Sequence, residues 1–576
     1  MFYRKIRISL LAGFLSVFVF PSSAQTSFSN EQLYTFIKVW GFLKYYHPAL
    51  ASGQINADSL FTSRVQGIST LSDAGFKKNL TSLLKDLGPT GQPVQTDSVT
   101  LFTRNQDFQW IGKLKLVPPA IGKELRRMSV AGYPGDTHQF MPATFYETQL
   151  PGENPHAGIV YPDLPFQLLA LARYWNAIEY LYPYKYMLPV PWDKVLRQHI
   201  PAFSKPMTAT DFEIQLLKLN AAIEDSHGGI VNIKNKGAVY GSFFPPFFFR
   251  FAGDSLVVTD YIDTLSCTRQ DIHPGDVIYS IADSPVSLKD KDWYVSASNL
   301  NKKKAIMSSP ILMLPLRSKD SLVTIGLIRA GRRKQMVLKL EKPTARYVAA
   351  LTEIYKRETG NGTTTTNGFV LKTVDPGIAM IDAANLSIFY NSTSGEKGID
   401  SIMLLMRQHG KAIILDLRCY ATQAVFYNKF LSALGWQLRP FVSLKAHSTA
   451  HPGAYYERDL FSTVKQKDIK DKYNGKVILL VDSRTHSQSE MITMVMQASG
   501  PAMVVGTQSS GADGDVIDLP IPGGYEVSFS GRHVSYPDGS PSQMTGVKRD
   551  MKVKVTTAGI AAGRDEILEA ALKLVR

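Results

Sequence analysis

Cysteine is nearly absent: the 576 residues contain only Cys267 and Cys419. Two cysteines so far apart make neither a disulfide framework nor a zinc site, and they are read as separate thiols in different domains. There is no His-Glu-x-x-His pair and no Walker A loop, which removes the zinc-hydrolase and P-loop readings. Gly523-Gly524 falls in a turn between strands rather than at a strand-to-helix phosphate site. After the first residues no stretch reaches about 18 uninterrupted apolar residues, so no membrane-spanning helix is expected in the mature chain. Concentrated basic charge is also missing. The formal net charge is +15, but lysines and arginines are scattered, with Lys302-Lys303-Lys304 the densest group. A nucleic-acid surface would gather them with aromatics on one element, so this excess reads as a generally basic surface.

What is present is an ordinary globular composition, 44% hydrophobic and 20% charged. The length implies two to four domains. Arg4, Lys5 and Arg7 precede an apolar run from Ile8 to Phe20, followed by Pro21-Ser22-Ser23-Ala24. That is the layout of a signal peptide over 1–24, cleaved after Ala24, and it predicts a periplasmic or secreted bacterial protein.

Trp40-Gly-Phe-Leu-Lys-Tyr45-Tyr46-His47-Pro48 is echoed by Trp175-Asn-Ala-Ile-Glu-Tyr180-Leu181-Tyr182-Pro183. Helical apolar spacing with a terminating proline predicts a duplicated helical unit. Between the copies, Leu101 to Asp163 reads as strands and loops, and Leu164 to Glu224 reads as helical. Phe243 to Leu340 is a compact run of short alternating strands. A polar linker covers Thr359 to Asn367. Beyond it strand and helix alternate: strands at Ile378–Ile381, Ala412–Leu417, Val477–Val481 and Ala502–Val505; helices at Gly398–Gln408, Val425–Leu434 and Ser489–Ala498. Such alternation predicts a sheet with crossover helices.

The chemistry centres on Val477-Ile-Leu-Leu-Val481-Asp482-Ser483-Arg484-Thr485-His486-Ser487-Gln488-Ser489-Glu490. A buried strand ends, a polar turn follows and a helix begins. A serine there lies under a helix N-terminus, whose N–H groups suit an oxyanion. The bland reading is an N-cap serine without chemistry.

Ser-x-Ser-Glu opening a helix, with Val504-Val505-Gly506 on the next strand, resembles the tail-specific (carboxy-terminal processing) serine peptidases. The resemblance implies that Ser487 is the nucleophile, Ser489 the helix cap and Glu490 a first-turn acid. The family's serine–lysine branch places its lysine at Ala512, so that mechanism is absent here. The tricorn-like branch uses a histidine from a Ser-His pair ahead of a PDZ domain. Ile223-Glu224-Asp225-Ser226-His227-Gly228-Gly229 lies at that place, and Gly275-Asp276-Val277-Ile278-Tyr279-Ser280-Ile281 resembles a PDZ strand entry. The implied roles are His227 as general base and Ser226 as a residue orienting the ring or the tetrahedral intermediate. His486 is expected to point its ring elsewhere. Gln543 stands at the position of the family's glutamate; it orients but cannot neutralise an imidazolium, and Asp513 is the candidate substitute acid. Leu415-Asp416-Leu417-Arg418 matches the family's strand, but Cys419-Tyr420-Ala421-Thr422 follows where that pattern has glycines. The backbone N–H groups of Gln488, Cys419 and Tyr420 are the candidate oxyanion donors.

The expected fold is therefore multidomain α/β. It has a signal peptide (1–24), an N-terminal helical/β domain (25–163), a helical segment carrying the Ser-His pair (164–240), a PDZ-like β-domain (241–345), a linker (346–367) and a core (368–576) of the ClpP/crotonase-like kind. The resemblance implies an exported serine endopeptidase that needs no metal or cofactor and acts on peptides or unfolded proteins, recognised by their C-terminus. The alternative is a catalytically weak peptide-binding protein on the same scaffold.

Overall fold

The structure is a computed structural model that describes residues 28–91, 100–144, 147–288, 291–359, 371–384, 410–421, 426–458 and 473–576. The signal peptide, the 398–408 helix, all but the first residue of the 359–367 linker and Thr422 lie outside the described residues.

The echo in the sequence is a structural duplication. The first unit is α1 (Asn30–Tyr46), α2 (Ala57–Ile68) and α3 (Asp73–Leu87). The second is α4 (Leu164–Leu181), α5 (Trp192–Phe203) and α6 (Ala209–Ala221). α1 closes at His47, before Pro48, and α4 at Tyr182, before Pro183. The two tryptophans do the same work: Trp40 Nε1 donates to Ala57 O and Trp175 Nε1 to Trp192 O, in each case 17 residues on, at the first residue of α2 and of α5 respectively. Ion pairs are exchanged between the copies, Lys38 of α1 with Asp193 of α5 and Arg173 of α4 with Asp58 of α2. Both units share one apolar core.

The segment between the units departs from its reading as strands and loops. It holds a two-residue strand, Leu101–Phe102, and two helices, Trp110–Lys113 and Pro119–Ala131. Pro119 occupies the first helical turn, where its missing N–H costs nothing.

Next comes a six-stranded antiparallel sheet: β1 (Phe247–Ala252), β2 (Ser255–Tyr261), β3 (Val277–Ile281), β4 (Leu322–Arg329) and β5 (Arg332–Lys339), in that spatial order, with the short strand Ser284–Pro285 also paired to β3. Helix α7 (Leu300–Met307) packs near β1.

The core is a six-stranded sheet. It comprises β6 (Leu371–Asp375), β7 (Ile378–Asp382), β8 (Ala412–Asp416), β9 (Lys476–Val481), β10 (Ala502–Gly506) and β11 (Met551–Lys552). The spatial order is β11-β10-β9-β8-β7-β6, parallel from β7 to β11, with β6 antiparallel at the edge. The continuous apolar run of β9 is explained by burial on both faces. Val477, Leu479 and Val481 share a core with α8 (Gln488–Ser499), while Ile478 and Leu480 pack with Ile567 and Ala571 of α9 (Glu566–Val575). Burying each of these side chains stabilises the sheet by roughly 1.5–3 kcal/mol.

A small third sheet joins helical region to core. Gly229–Val231, just after α6, pairs antiparallel with Tyr525–Ser530, which pairs with Val516–Ile521. This pairing carries the His227 turn to the core.

Candidate active site

The β9 strand ends at Val481 and α8 begins at Gln488. Ser487 sits between them at φ 51°, ψ −111° and its side chain makes no capping hydrogen bond. A non-glycine residue in that region is strained. The strain is held by neighbours: Ser487 N donates to Ala512 O at 3.1 Å, and Met491 N donates to Ser487 O at 3.0 Å. The result is a serine hydroxyl turned away from the capping role and left at the helix N-terminus. Such a strained strand-to-helix turn is how a nucleophile is presented.

The next residues of the motif pin two turns around it. Ser489, expected as the cap, instead accepts from Ala421 N at 2.9 Å and donates to Cys419 O at 2.7 Å. It thereby clasps the 419–421 turn to the start of α8. The buried Glu490 carboxyl accepts from Ser509 Oγ, Gly511 N and Ala512 N at 2.6, 2.9 and 3.0 Å. Burial pushes its pKa up to about 7 against those donors. Gly506 lets the chain pass, since a Cβ there would lie 1.8 Å from Val481 O.

His227 arrives on the turn after α6. Its Nδ1 lies 2.8 Å from Ser530 Oγ, and Ser530 Oγ donates to Asp225 Oδ1 at 3.0 Å. Asp225 is fully buried and also accepts from Ser530 N, His227 N and Gln543 Nε2, at 2.6, 3.2 and 3.2 Å. A carboxylate only accepts, so the single Ser530 proton goes to Asp225 and the Ser530 oxygen accepts from the ring. That fixes the proton on Nδ1 and leaves Nε2 as the basic nitrogen. Burial holds the ring below the ordinary histidine pKa; Asp225 acts against that shift and Lys302 with it.

Two contacts join the histidine to the serine. The His486 ring, next to Ser487 in sequence, lies 4.6 Å from the His227 ring, so it does not turn elsewhere as expected. Ser226 Oγ donates to Ser510 O at 2.9 Å, on the same loop whose Ala512 O holds Ser487 N. Ser226 also accepts from Ser298 N, and its own N–H donates to Ser298 Oγ, both at 2.9 Å. These bonds make it a clasp of the turn rather than a partner of the ring.

Gln543 is buried and its amide reaches Asp225, Tyr182 OH and Ser298 Oγ, so it supports the acid instead of the ring. Asp513, the candidate substitute acid, accepts from its neighbour Gly514 N, while the ring's partners lead to Asp225. Sequence reasoning missed both Asp225 and Ser530. Asp225 had a local signal, lying two residues before His227; Ser530 had none.

Cys419 is buried, and burial together with Asp382 and Asp416 raises its thiol, which opposes a thiolate. Arg418 is tied to Asp416 and Asp565 at 2.8 and 2.7 Å, anchoring the end of β8. The N–H groups of Gln488 and Tyr420 have no protein acceptor among the described residues. Among those residues no group of three or more potential metal ligands occurs, and no helix is long and apolar enough to cross a membrane.

Comparison with known proteins shows a likeness in fold. The chain is similar in fold to mature CPAF complexed with lactacystin, with 12% identity over 72% of this chain and 98% of that chain, and a TM-score of 0.54. Mature CPAF alone gives 12% identity, 72% and 97% coverage and a TM-score of 0.52. A photosystem II D1 C-terminal processing protease is 16% identical over 70% of this chain and 98% of that chain, with a TM-score of 0.35. No curated protein matches the sequence. The protein is a serine-type peptidase. Residues 437–553 match the model of peptidase family S41.

Proposed function

We propose that this protein is an exported serine endopeptidase that hydrolyses unfolded or tail-exposed polypeptides through an acyl-enzyme. The observation that carries this reading is a strained, uncapped Ser487 next to His486, whose ring lies 4.6 Å from that of His227, with His227 Nδ1 leading through Ser530 to buried Asp225. In this reading Ser487 Oγ attacks the scissile carbonyl carbon and its proton passes to His227 Nε2. The N–H groups of Gln488 and of the 419–420 turn receive the oxyanion. Collapse breaks the C–N bond, and the amine leaves with the proton from His227. Water, deprotonated by the same nitrogen, then hydrolyses the acyl-enzyme.

Gln543 in place of a glutamate does not weaken the case. Its amide donates to Asp225, and the acid of the relay is supplied by Asp225 itself. The open edge of β1 borders a cleft of about 530 Å³ that includes Phe249, Phe251, Ala305 and Val553. An extended peptide added to β1, in the manner of a PDZ-like domain, would lie in it. Export rests on the signal-peptide layout of residues 1–24, giving a periplasmic or secreted enzyme.

The test is hydrolysis of a quenched fluorescent unfolded protein by the mature chain. Cleavage that is lost in Ser487→Ala and in His227→Ala is expected. Cleavage that survives in Ser487→Ala, or none in the wild type while peptide is still retained, overturns the reading.

A further inference from the structure

The turn after β8 carries a bulky aromatic at the mouth of the site. Tyr420 is 42% exposed although its turn is clasped to the start of the helix that Ser487 opens. Its ring meets the His486 ring edge-on, centroids 6.3 Å apart at 70°, and the His486 ring in turn lies 4.6 Å from that of His227. Tyr420 is not on a free loop. The residue after it donates its N–H to Ser489 Oγ at 2.9 Å, and the carbonyl before it accepts from that same hydroxyl at 2.7 Å. Ser489 is the second residue of the helix that Ser487 opens. Phenol and serine hydroxyl are therefore mounted on one rigid frame, two clasping bonds apart.

Burial raises the Tyr420 phenol, and the Ser487 hydroxyl beside it pulls the value back. The group thus keeps its proton at neutral pH and remains a donor. Main-chain donors in such a turn are most easily aimed when the turn is glycine-rich, and this turn has no glycine from Cys419 to Thr422.

We propose that the Tyr420 hydroxyl is a side-chain donor of the oxyanion hole, donating to the substrate's carbonyl oxygen as the tetrahedral intermediate forms. The proposal rests on Ser487 being the nucleophile. A donor beside the serine oxygen pivots to the oxyanion without moving its backbone, because both oxygens are then bonded to the same carbon. No proton is transferred in this step; the phenol only donates a hydrogen bond to the developing charge. Tyr420 is then a catalytic residue by direct contact with a reacting atom, alongside the backbone of Gln488.

The experiment compares the full mature chain with Tyr420→Phe and Ser487→Ala. It reads kcat and KM on a fluorogenic peptide and the second-order rate of fluorophosphonate labelling, with thermal melting as the check of folding. Tyr420→Phe keeps the ring, so an unchanged melting temperature is expected. Removing one such donor is expected to lower kcat by about 100-fold with KM little changed, and to slow labelling in parallel. A variant as active as the wild type, or more active, contradicts the proposal; greater activity would make Tyr420 a lid. A rise in KM at constant kcat also contradicts it, because that is the mark of a ground-state contact. If wild type cleaves and labels, Ser487→Ala does neither and Tyr420→Phe is unaffected, this proposal alone fails. If wild type matches Ser487→Ala in doing neither, the nucleophile assignment fails and takes the proposal with it.

Discussion

Gly41 of the first helical unit packs against Asn176 of the second: a Cβ on Gly41 would fall 1.8 Å from Asn176 Oδ1. Asn176 follows Trp175 as Gly41 follows Trp40, so the contact sits where the two copies cross. Its amide donates to Ile37 O of α1 at 3.2 Å and to Ala172 O of its own helix at 2.8 Å. Gly41→Ala therefore overpacks the crossing and is expected to cost about 1–3 kcal/mol in urea unfolding. Adding Asn176→Ala should recover part of that loss, because the clash needs both side chains. Equal midpoints for wild type and Gly41→Ala would refute the packing argument.

The exchanged ion pairs are unequal. Arg173 is wholly buried and serves Asp58 at 2.5 Å and Glu153 at 2.9 Å, whereas the Asp193 partner of Lys38 is 38% exposed. Arg173→Met takes a buried cation from two buried acids, leaving Glu153 to Lys44 and Asp58 to His156, and a loss of about 3–5 kcal/mol is expected. Lys38→Met leaves an acid that water can reach, so its effect on the unfolding midpoint should be clearly smaller. The reverse ranking would contradict the burial argument.

The relay predicts a pH signature. Catalysis needs neutral His227, and burial lowers its pKa, so the acid limb of kcat/KM should lie below the ordinary histidine value of about 6.5. Asp225 raises that pKa, so Asp225→Asn should move the limb to still lower pH while also lowering kcat. Ser530→Ala removes the acceptor of Nδ1 and should lower kcat by about 10- to 100-fold, with KM little altered, since Ser530 positions the ring without touching substrate. A limb that moves to higher pH in Asp225→Asn would exclude the proposed relay.

Much of this was legible in sequence, and the gaps have physical causes. Continuous apolar runs such as Val477–Val481 mark strands buried on both faces, and the paired Trp…Pro segments mark the duplicated helices. The helices inside 101–163 were hidden because Pro118 and Pro119 read as loop until one is seen as a helix start. Ser489 was misread as a cap because a strand-turn-helix sequence does not disclose that the chain reverses φ at Ser487. Ser530 could not be found because its strand reaches His227 through the pairing of residues 526–528 with 229–231, a contact between distant parts of the chain.

The most direct test of the central claim is mass-spectrometric mapping of a fluorophosphonate adduct on the mature chain, with His227→Ala in parallel. The account predicts a single adduct on Ser487 that forms far more slowly without His227. An adduct on another residue, or equal labelling of Ser487 in the two proteins, would contradict it.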